Sequence, residues 1–414
     1  MRELIKKLAP KAALNGYKAI RKKLIKTEFG LFHHFPIKKK RVVLCNVWGF
    51  GDNTKWIAKA LRNSDKSVEV VFVTDRSKAD RVPEGIRVLE TNSPKAIYYL
   101  ATAHVWVDCN RKEPYILKKK GQIYIQTWHG SIPLKRLEAD YPELTEDYMA
   151  NAARDSQMTD LCLSNGEFMN DIYRTAFGYE CECIVTGSAR LDPLLKPNAK
   201  RVLKTKTRIA ELAGIKDTGN SNNLRIAVYA PTYRENGAGI EFPDLGQVLK
   251  SLEKRFGGSF VIVERVHPLV RGKDNNYRSE QSKEKKSPMH KNDTSGIVDG
   301  NGLGDLYELL EASDVLITDY SNTMFEFAMA GRPVFLYAPD SKEYEEERGF
   351  YFDYNRLPYP HSSTTGDLCD EIEGYSAFDH KNELDEFFKN LGVREDGKAS
   401  KRIADMILRK VYRE

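Results

Sequence analysis

The sequence has no apolar run approaching the roughly twenty residues that a membrane-crossing helix needs, so no transmembrane span is expected. Its start lacks the apolar block of a signal peptide, which points to a cytoplasmic protein. Cysteine is scarce, with six residues at 45, 109, 162, 181, 183 and 369, and the one close pair, Cys181 and Cys183, is too tight for zinc spacing. Reduced core thiols in a reducing compartment are the plainer reading. No carboxylate cluster has metal spacing, so no tightly held metal is expected, and dependence on a divalent cation is left open. Basic residues interleaved with aromatics are not evident beyond the first forty-one residues, which argues against a nucleic-acid partner. With 41% hydrophobic and 30% charged residues over a length of 414, general disorder is excluded and two domains of ordinary size fit.

Charge is unevenly placed. Residues 1–41 hold thirteen Lys and Arg against Glu3 and Glu28, although the net charge of the chain is only +6. Within this leader, residues 1–40, Ala13, Tyr17, Ile20 and Leu24 recur at helical spacing, with Lys11, Lys18, Lys22 and Lys26 on a neighbouring face. Such a helix suits either an anionic membrane surface or a plain solvated position against a domain. From Arg41 onward, short apolar runs alternate with helical segments. RVVLCN (41–46), VEVVFVT (68–74), IRVLE (86–90), HVWVD (104–108), QIYIQ (122–126), LCLSN (161–165) and ECIVTG (182–187) read as strands, several apolar on both faces. That is the pattern of a parallel sheet covered by helices on both sides. A polar stretch over 196–223 reads as a linker plus a surface helix; then LRIAVYAP (224–231), SFVIVERVHP (259–268), VLITDY (315–320) and PVFLYAP (333–339) repeat the strand signal. The expected fold is α/β, with two Rossmann-like domains, 41–205 and 224–395, facing across a cleft, and a last helix within 396–414.

In open α/β sheets, ligands bind beyond the carboxyl ends of strands, so the residues just after each run carry the functional information. After the first strand comes GFGDN, where Gly51, Asp52 and Asn53 offer close backbone approach and polar contacts. It is not the GxGxxG dinucleotide fingerprint, and a simple strand-to-helix turn explains it equally. WHG follows the fifth strand and VHP follows the second strand of the second domain. One histidine at a strand end is ordinarily a packed or solvent-touching residue; His129 and His267, from different domains, would meet across the cleft. Imidazole can take a proton from a hydroxyl or, when charged, hold a phosphate. Arg234 has the fork geometry for phosphate, and is otherwise a surface residue. In TDYSNTMFEF, a buried strand ends at Thr318 and Asp319, and a helix is expected from Thr323, capped by Ser321 or Asn322. Its free amides and hydroxyls would form a diphosphate site, with Glu326 reaching ribose hydroxyls. The polar stretch 272–296 is expected to be a loop following His267, with its His290 exposed to solvent.

The ordered set QTWHG, GSARLD, APTYREN, VHP, LLEASDVLITDYSNTMFEFAMAGRPVFLY and EERGFYFDY resembles the CDP-glycerol glycerophosphotransferase family, which includes the teichoic acid primases and polymerases, from about Arg41 to Tyr354. The resemblance implies a GT-B type fold and transfer of glycerol phosphate from CDP-glycerol to a hydroxyl of a lipid-linked saccharide or growing chain, with release of CMP. It implies His129 as general base, His267 on the donor pyrophosphate, and Arg234, Thr318, Asp319, Ser321, Asn322, Thr323 and Glu326 as donor contacts. Gly51, Asp52, Asn53, Gly130 and Arg190 would line the acceptor side. It also implies peripheral attachment at the cytoplasmic face of the membrane, through an anionic surface that suits the basic leader. The chain departs from the family pattern at TDYSN for TDYSS, FEF for FDF, PYP for PGP at 358–360 and GSARLD for GYPRND. The first two keep hydrogen-bonding capacity, whereas the last two bear on donor identity and acceptor fit; ribitol phosphate transfer from CDP-ribitol and sugar transfer from a nucleotide sugar remain alternatives. The short two-domain length favours an enzyme that adds one or few units.

Overall fold

The computed structural model describes residues 11–79, 81–141, 143–215, 224–234, 240–266 and 296–412. His267, His290 and the expected loop, apart from Gly296, lie outside the described residues.

Eleven runs expected to be strands are strands, and all pairing within the two sheets is parallel. The first sheet holds β1 (Lys38–Cys45), β2 (Glu69–Thr74), β3 (Arg87–Glu90), β4 (Ala103–Asp108), β5 (Ile123–Gln126), β6 (Leu161–Ser164) and β7 (Glu182–Val185), in the order β3-β2-β1-β4-β5-β6-β7. The second holds β8 (Arg225–Ala230), β9 (Phe260–Glu264), β10 (Ile297–Asp299), β11 (Val315–Thr318), β12 (Val334–Tyr337) and β13 (His361–Ser362), in the order β10-β9-β8-β11-β12-β13. The run 259–268 is shorter than expected, ending at Glu264. The two edge strands β10 and β13 had no counterpart in the sequence reading, because two or three residues at a sheet edge carry no periodic signal.

Side-chain alternation along each central strand distributes the apolar residues between two layers. Val42 and Leu44 of β1 pack with Ile57 and Leu61 on one face, while Val43 and Cys45 pack with Ile25, Phe29, Ile97 and Leu100 on the other. In β8, Ile226 and Val228 enter one core and Ala227 and Tyr229 the opposite one. Each fully buried Val, Leu or Ile contributes about 1.5–3 kcal/mol, which is why runs apolar on both faces specify a covered sheet.

The chain crosses between the halves more than once. Ile132 and Leu134, which follow the WHG turn, are buried in the core of the second sheet, as are Leu191 and Leu194. The expected surface helix of the 196–223 stretch is Ala199–Leu212, and it inserts Ile209 and Ala210 into that same core. The last helix, Ala399–Tyr412, returns to the first sheet and buries Ile403, Ala404, Ile407 and Val411 at helical spacing. Its first amides are held by Asp192, whose carboxylate accepts from Ala399 N at 2.8 Å and Ser400 N at 2.7 Å. Asp192 of GSARLD therefore caps a helix about two hundred residues away.

The leader forms the helix Lys11–Phe32, described at the side-chain level from Ile20 onward. Its buried stripe is Ile25 and Phe29, packed against the helix Pro94–Thr102. Ile20 and Leu24, expected on the apolar face, are 63% and 50% exposed, and Lys22, Lys23 and Lys26 are exposed beside them. The helix thus has one apolar stripe inside and a second one outside.

Candidate active site

In each sheet the strand order reverses next to one strand: β1 lies between β2 and β4, and β8 lies between β9 and β11. Crevices open at these switch points beyond the carboxyl ends of the strands. WHG and GFGDN border the first crevice, and APTYR and TDYSN border the second.

His129 sits just past β5, exposed, with its ring stacked on Trp128 at a centroid distance of 4.2 Å. Its Nδ1 lies 2.8 Å from the carbonyl oxygen of Cys109, the residue after β4. A carbonyl only accepts, so Nδ1 carries a proton, and in the neutral ring Nε2 is the nitrogen with the lone pair. The turn has a tight backbone: Trp128 has φ of 51°, a left-handed conformation costly for a bulky residue. It is held from outside. Asn53 Nδ2 donates to the Trp128 carbonyl at 3.2 Å, and Asn53 Oδ1 accepts from the Arg190 amide at 3.1 Å. Asp52 has φ of 57°, and its carboxylate accepts from the Asn53 amide and from Arg190 at 3.1 Å. The Gly51 carbonyl accepts from the Asn46 and Thr54 side chains, each at 3.2 Å.

Arg190 is buried, and its guanidinium bonds three partners: the His129 carbonyl, Asp52 and Glu326 of the second domain. Burial works against this charge, but Glu326, Tyr307 and Asp52 more than offset it and hold the group cationic. Glu326 is only 1% exposed and also accepts from Ser131 Oγ at 2.8 Å and from Tyr307 Oη. The Glu326 carboxylate expected to meet a ribose is thus enclosed by protein groups from three segments. Arg190, expected on the acceptor side, is likewise enclosed. Asn322 makes a further link between the halves: its Oδ1 accepts from the Leu134 amide at 3.0 Å, and its Nδ2 lies beside Gly130. The amide that replaces a hydroxyl in TDYSN therefore joins the WHG turn to the TDYSN turn.

These features, two parallel Rossmann-like sheets with a histidine turn of one clasped to the TDYS turn of the other, agree with the comparison to known proteins. Residues 27–409 match the family described as CDP-Glycerol:Poly(glycerophosphate) glycerophosphotransferase. The chain belongs to this family. A teichoic acid poly(glycerol phosphate) polymerase of Bacillus spizizenii is 28% identical over 412 residues, 95% of this chain and 98% of the relative. A protein of the same description from Bacillus subtilis is 27% identical over 94% of this chain, which spans only 51% of that longer relative. The solved structure of the wall teichoic acid polymerase TagF matches with a TM-score of 0.76 at 26% identity, covering 96% of this chain and 97% of that one. A variant of TagF soaked with CDPG matches with a TM-score of 0.74 at 26% identity, over 97% and 98% of the two chains.

At the second switch point of this glycerophosphotransferase, Arg234, expected as a donor contact, is buried and forked between Asp340 at 2.7 Å and Asp319 at 3.0 Å. Burial opposes its charge and the two carboxylates outweigh burial. Asp319 also accepts from the Thr232 amide at 2.8 Å, and Thr318 Oγ1 donates to the Ala230 carbonyl at 2.7 Å. Thr318 and Asp319 therefore brace the APTYR loop against the TDYSN loop. Ser321 Oγ lies 2.9 Å from Thr323 Oγ1, and Ser321 and Asn322 are half-buried at the mouth of the turn. The helix that follows, Thr323–Ala328, has six residues; Asn322 makes no side-chain cap, but Ser321 Oγ accepts from the Thr323 amide at 3.3 Å. The sequence reading did not single out Cys109, Ser131, Tyr307 or Asp340. Cys109 follows β4, Ser131 lies in the turn after β5 and Asp340 follows β12, so the strand-end rule could have found them; Tyr307 lies in the helix Leu306–Glu311 and carries no such signal. Among the described residues, no group of three or more His, Cys, Asp or Glu is placed to hold a metal ion.

Proposed function

We infer that this protein transfers glycerol phosphate from CDP-glycerol to a hydroxyl of a teichoic acid or capsule chain, releasing CMP. The acceptor is carried on a lipid-linked saccharide. His129 takes the proton from the attacking hydroxyl through Nε2. Phosphoryl transfer needs chiefly positioning and electrostatic stabilisation, so the donor groups are cationic or dipolar. They are Arg234, Ser321, Asn322 and Thr323 at the second switch point, with Thr318, Asp319 and Glu326 shaping that wall from behind, and, from its VHP motif in the sequence, His267. Gly51, Asp52, Asn53 and Gly130 border the acceptor's path. The observation that carries the reading is the exposed His129, with Nδ1 committed to the Cys109 carbonyl and its turn joined through Asn322 to the TDYSN turn.

The enzyme works as a peripheral protein at the cytoplasmic face of the membrane. The exposed Ile20, Leu24 and Leu31 beside exposed lysines support this, and no helix among the described residues is long and apolar enough to cross a bilayer. The test is CMP release from CDP-glycerol and, separately, CDP-ribitol, with a lipid-linked saccharide acceptor, with and without a chelator. Acceptor-dependent CMP that disappears in His129→Ala supports the reading and names the polyol. Release of a nucleoside diphosphate from a nucleotide sugar instead would replace it with sugar transfer.

A further inference from the structure

Among the described residues several ionic contacts cross between the halves, and two of them differ in what else they touch. Lys55 bonds Asp305 at 2.7 Å and Glu308 at 2.8 Å, and both carboxylates lie at the start of the helix Leu306–Glu311. This contact joins helix to helix and reaches neither strand-end turn. Arg190 and Glu326 also join the halves, but the same guanidinium donates to the backbone carbonyl of His129.

The WHG turn does not hold its own shape. Trp128 is in the left-handed region at φ 51°, which costs on the order of 1–2 kcal/mol for such a residue. The carbonyls on either side of the bend, those of Trp128 and His129, are gripped by Asn53 and Arg190 respectively. Asn53 is itself held by the Arg190 amide, so both grips depend on the position of one residue. Burying a guanidinium is unfavourable without partners, and the Glu326 carboxylate that compensates it belongs to the second domain.

We propose that Arg190 is a positioning residue for the general base: it fixes the His129 carbonyl, and the Glu326 carboxylate of the opposite domain makes that grip effective. The second domain thereby completes the acceptor-activating turn. The proposal rests on the reading of His129 as general base. A displacement of about 1 Å at a catalytic group can cost a hundredfold in rate.

The experiment compares kcat and KM for CDP-glycerol in the full chain, in Arg190→Met, in Glu326→Gln, in the double variant Arg190→Met/Glu326→Gln, and in Lys55→Met. The expected result is a fall in kcat of about a hundredfold for Arg190→Met, with KM within threefold, and about tenfold for Glu326→Gln. The double variant removes the unpaired buried charge and faces the Ser131 and Tyr307 hydroxyls with one amide acceptor and one amide donor, which a reoriented hydroxyl can accept, so it tests function even where Arg190→Met folds poorly. It should retain the hundredfold loss. Lys55→Met should stay within threefold in kcat. Recovery of kcat in the double variant would overturn the proposal, as would an equal kcat loss in Lys55→Met or a rise in KM at constant kcat. His129→Ala separates the two levels: full activity there defeats the general-base reading, whereas loss there with normal Arg190 variants defeats the positioning role alone.

Discussion

At the residue scale, one hydrogen bond gives His129 its chemistry. With Nδ1 facing the Cys109 carbonyl at 2.8 Å, the neutral ring has its acceptor at Nε2, fixed by a backbone group and not a carboxylate. A general base contributes on the order of a hundred- to ten-thousandfold, so His129→Ala should lose CMP release by that factor while unfolding at the same temperature as the parent. The ring is exposed and supports no core, so a large drop in melting temperature would contradict this account. The histidine turn was legible in the sequence because it follows a strand. The engagement of Glu326 was not: its partners Arg190, Ser131 and Tyr307 come from three separate segments, and only their meeting decides which cation the carboxylate serves.

At the element scale, segments that follow the strands of the first sheet are braced by groups whose ionisation matters. Asp155, on the helix Glu146–Met158, is fully buried and accepts from the Lys112 amide at 2.9 Å, tying that helix to the loop after β4. Burial raises its carboxyl to about 6, with the Lys112 amide and Arg111 opposing the rise. The folded state therefore binds the proton more tightly than the unfolded chain. The resulting stability is fully present below the unfolded value near 3.8 and is lost as pH rises through about 6. Relative to the parent, Asp155→Asn should gain on the order of 3 kcal/mol in unfolding free energy between pH about 4 and about 7. A pH-independent difference between the two proteins would refute it. Gly187 is a second brace. It has φ of 77°, and a Cβ there would lie 2.9 Å from the Arg394 carbonyl, where the chain returns to the first domain. Gly187→Ala should lower the unfolding free energy by about 1–3 kcal/mol in denaturant titration. An unchanged midpoint would mean that this return is loosely seated.

At the scale of the whole molecule, two features stand out. Neither half is independent: the WHG continuation and the helix Ala199–Leu212 are built into the second core, and the last helix is built into the first. The outer stripe of the leader helix, with its exposed lysines, is available to an anionic lipid surface. Each basic side chain near such a surface contributes about 1 kcal/mol, so replacing Lys22, Lys23 and Lys26 by glutamine should weaken binding to vesicles rich in anionic lipid by about a hundredfold. Co-sedimentation at low and high salt measures it. Equal binding of both proteins, or binding that ignores salt, would remove the leader from the membrane account.

The sequence by itself determined the strands, the two parallel sheets and the polar clusters at their carboxyl ends. Burial on both faces and strand-end turns are local properties, written in consecutive residues such as RVVLCN and VLITDY. It also carried the motifs by which the family is recognised. It did not determine that Arg190 and Glu326 pair, that Asn322 bonds the backbone of Leu134, or that Asp192 caps the last helix. It misplaced the inner stripe of the leader, since a helix with two apolar faces does not state which one meets protein. Such pairings depend on distances across the seam between the domains. Those distances are set by the summed packing of both cores, which no single stretch of sequence contains.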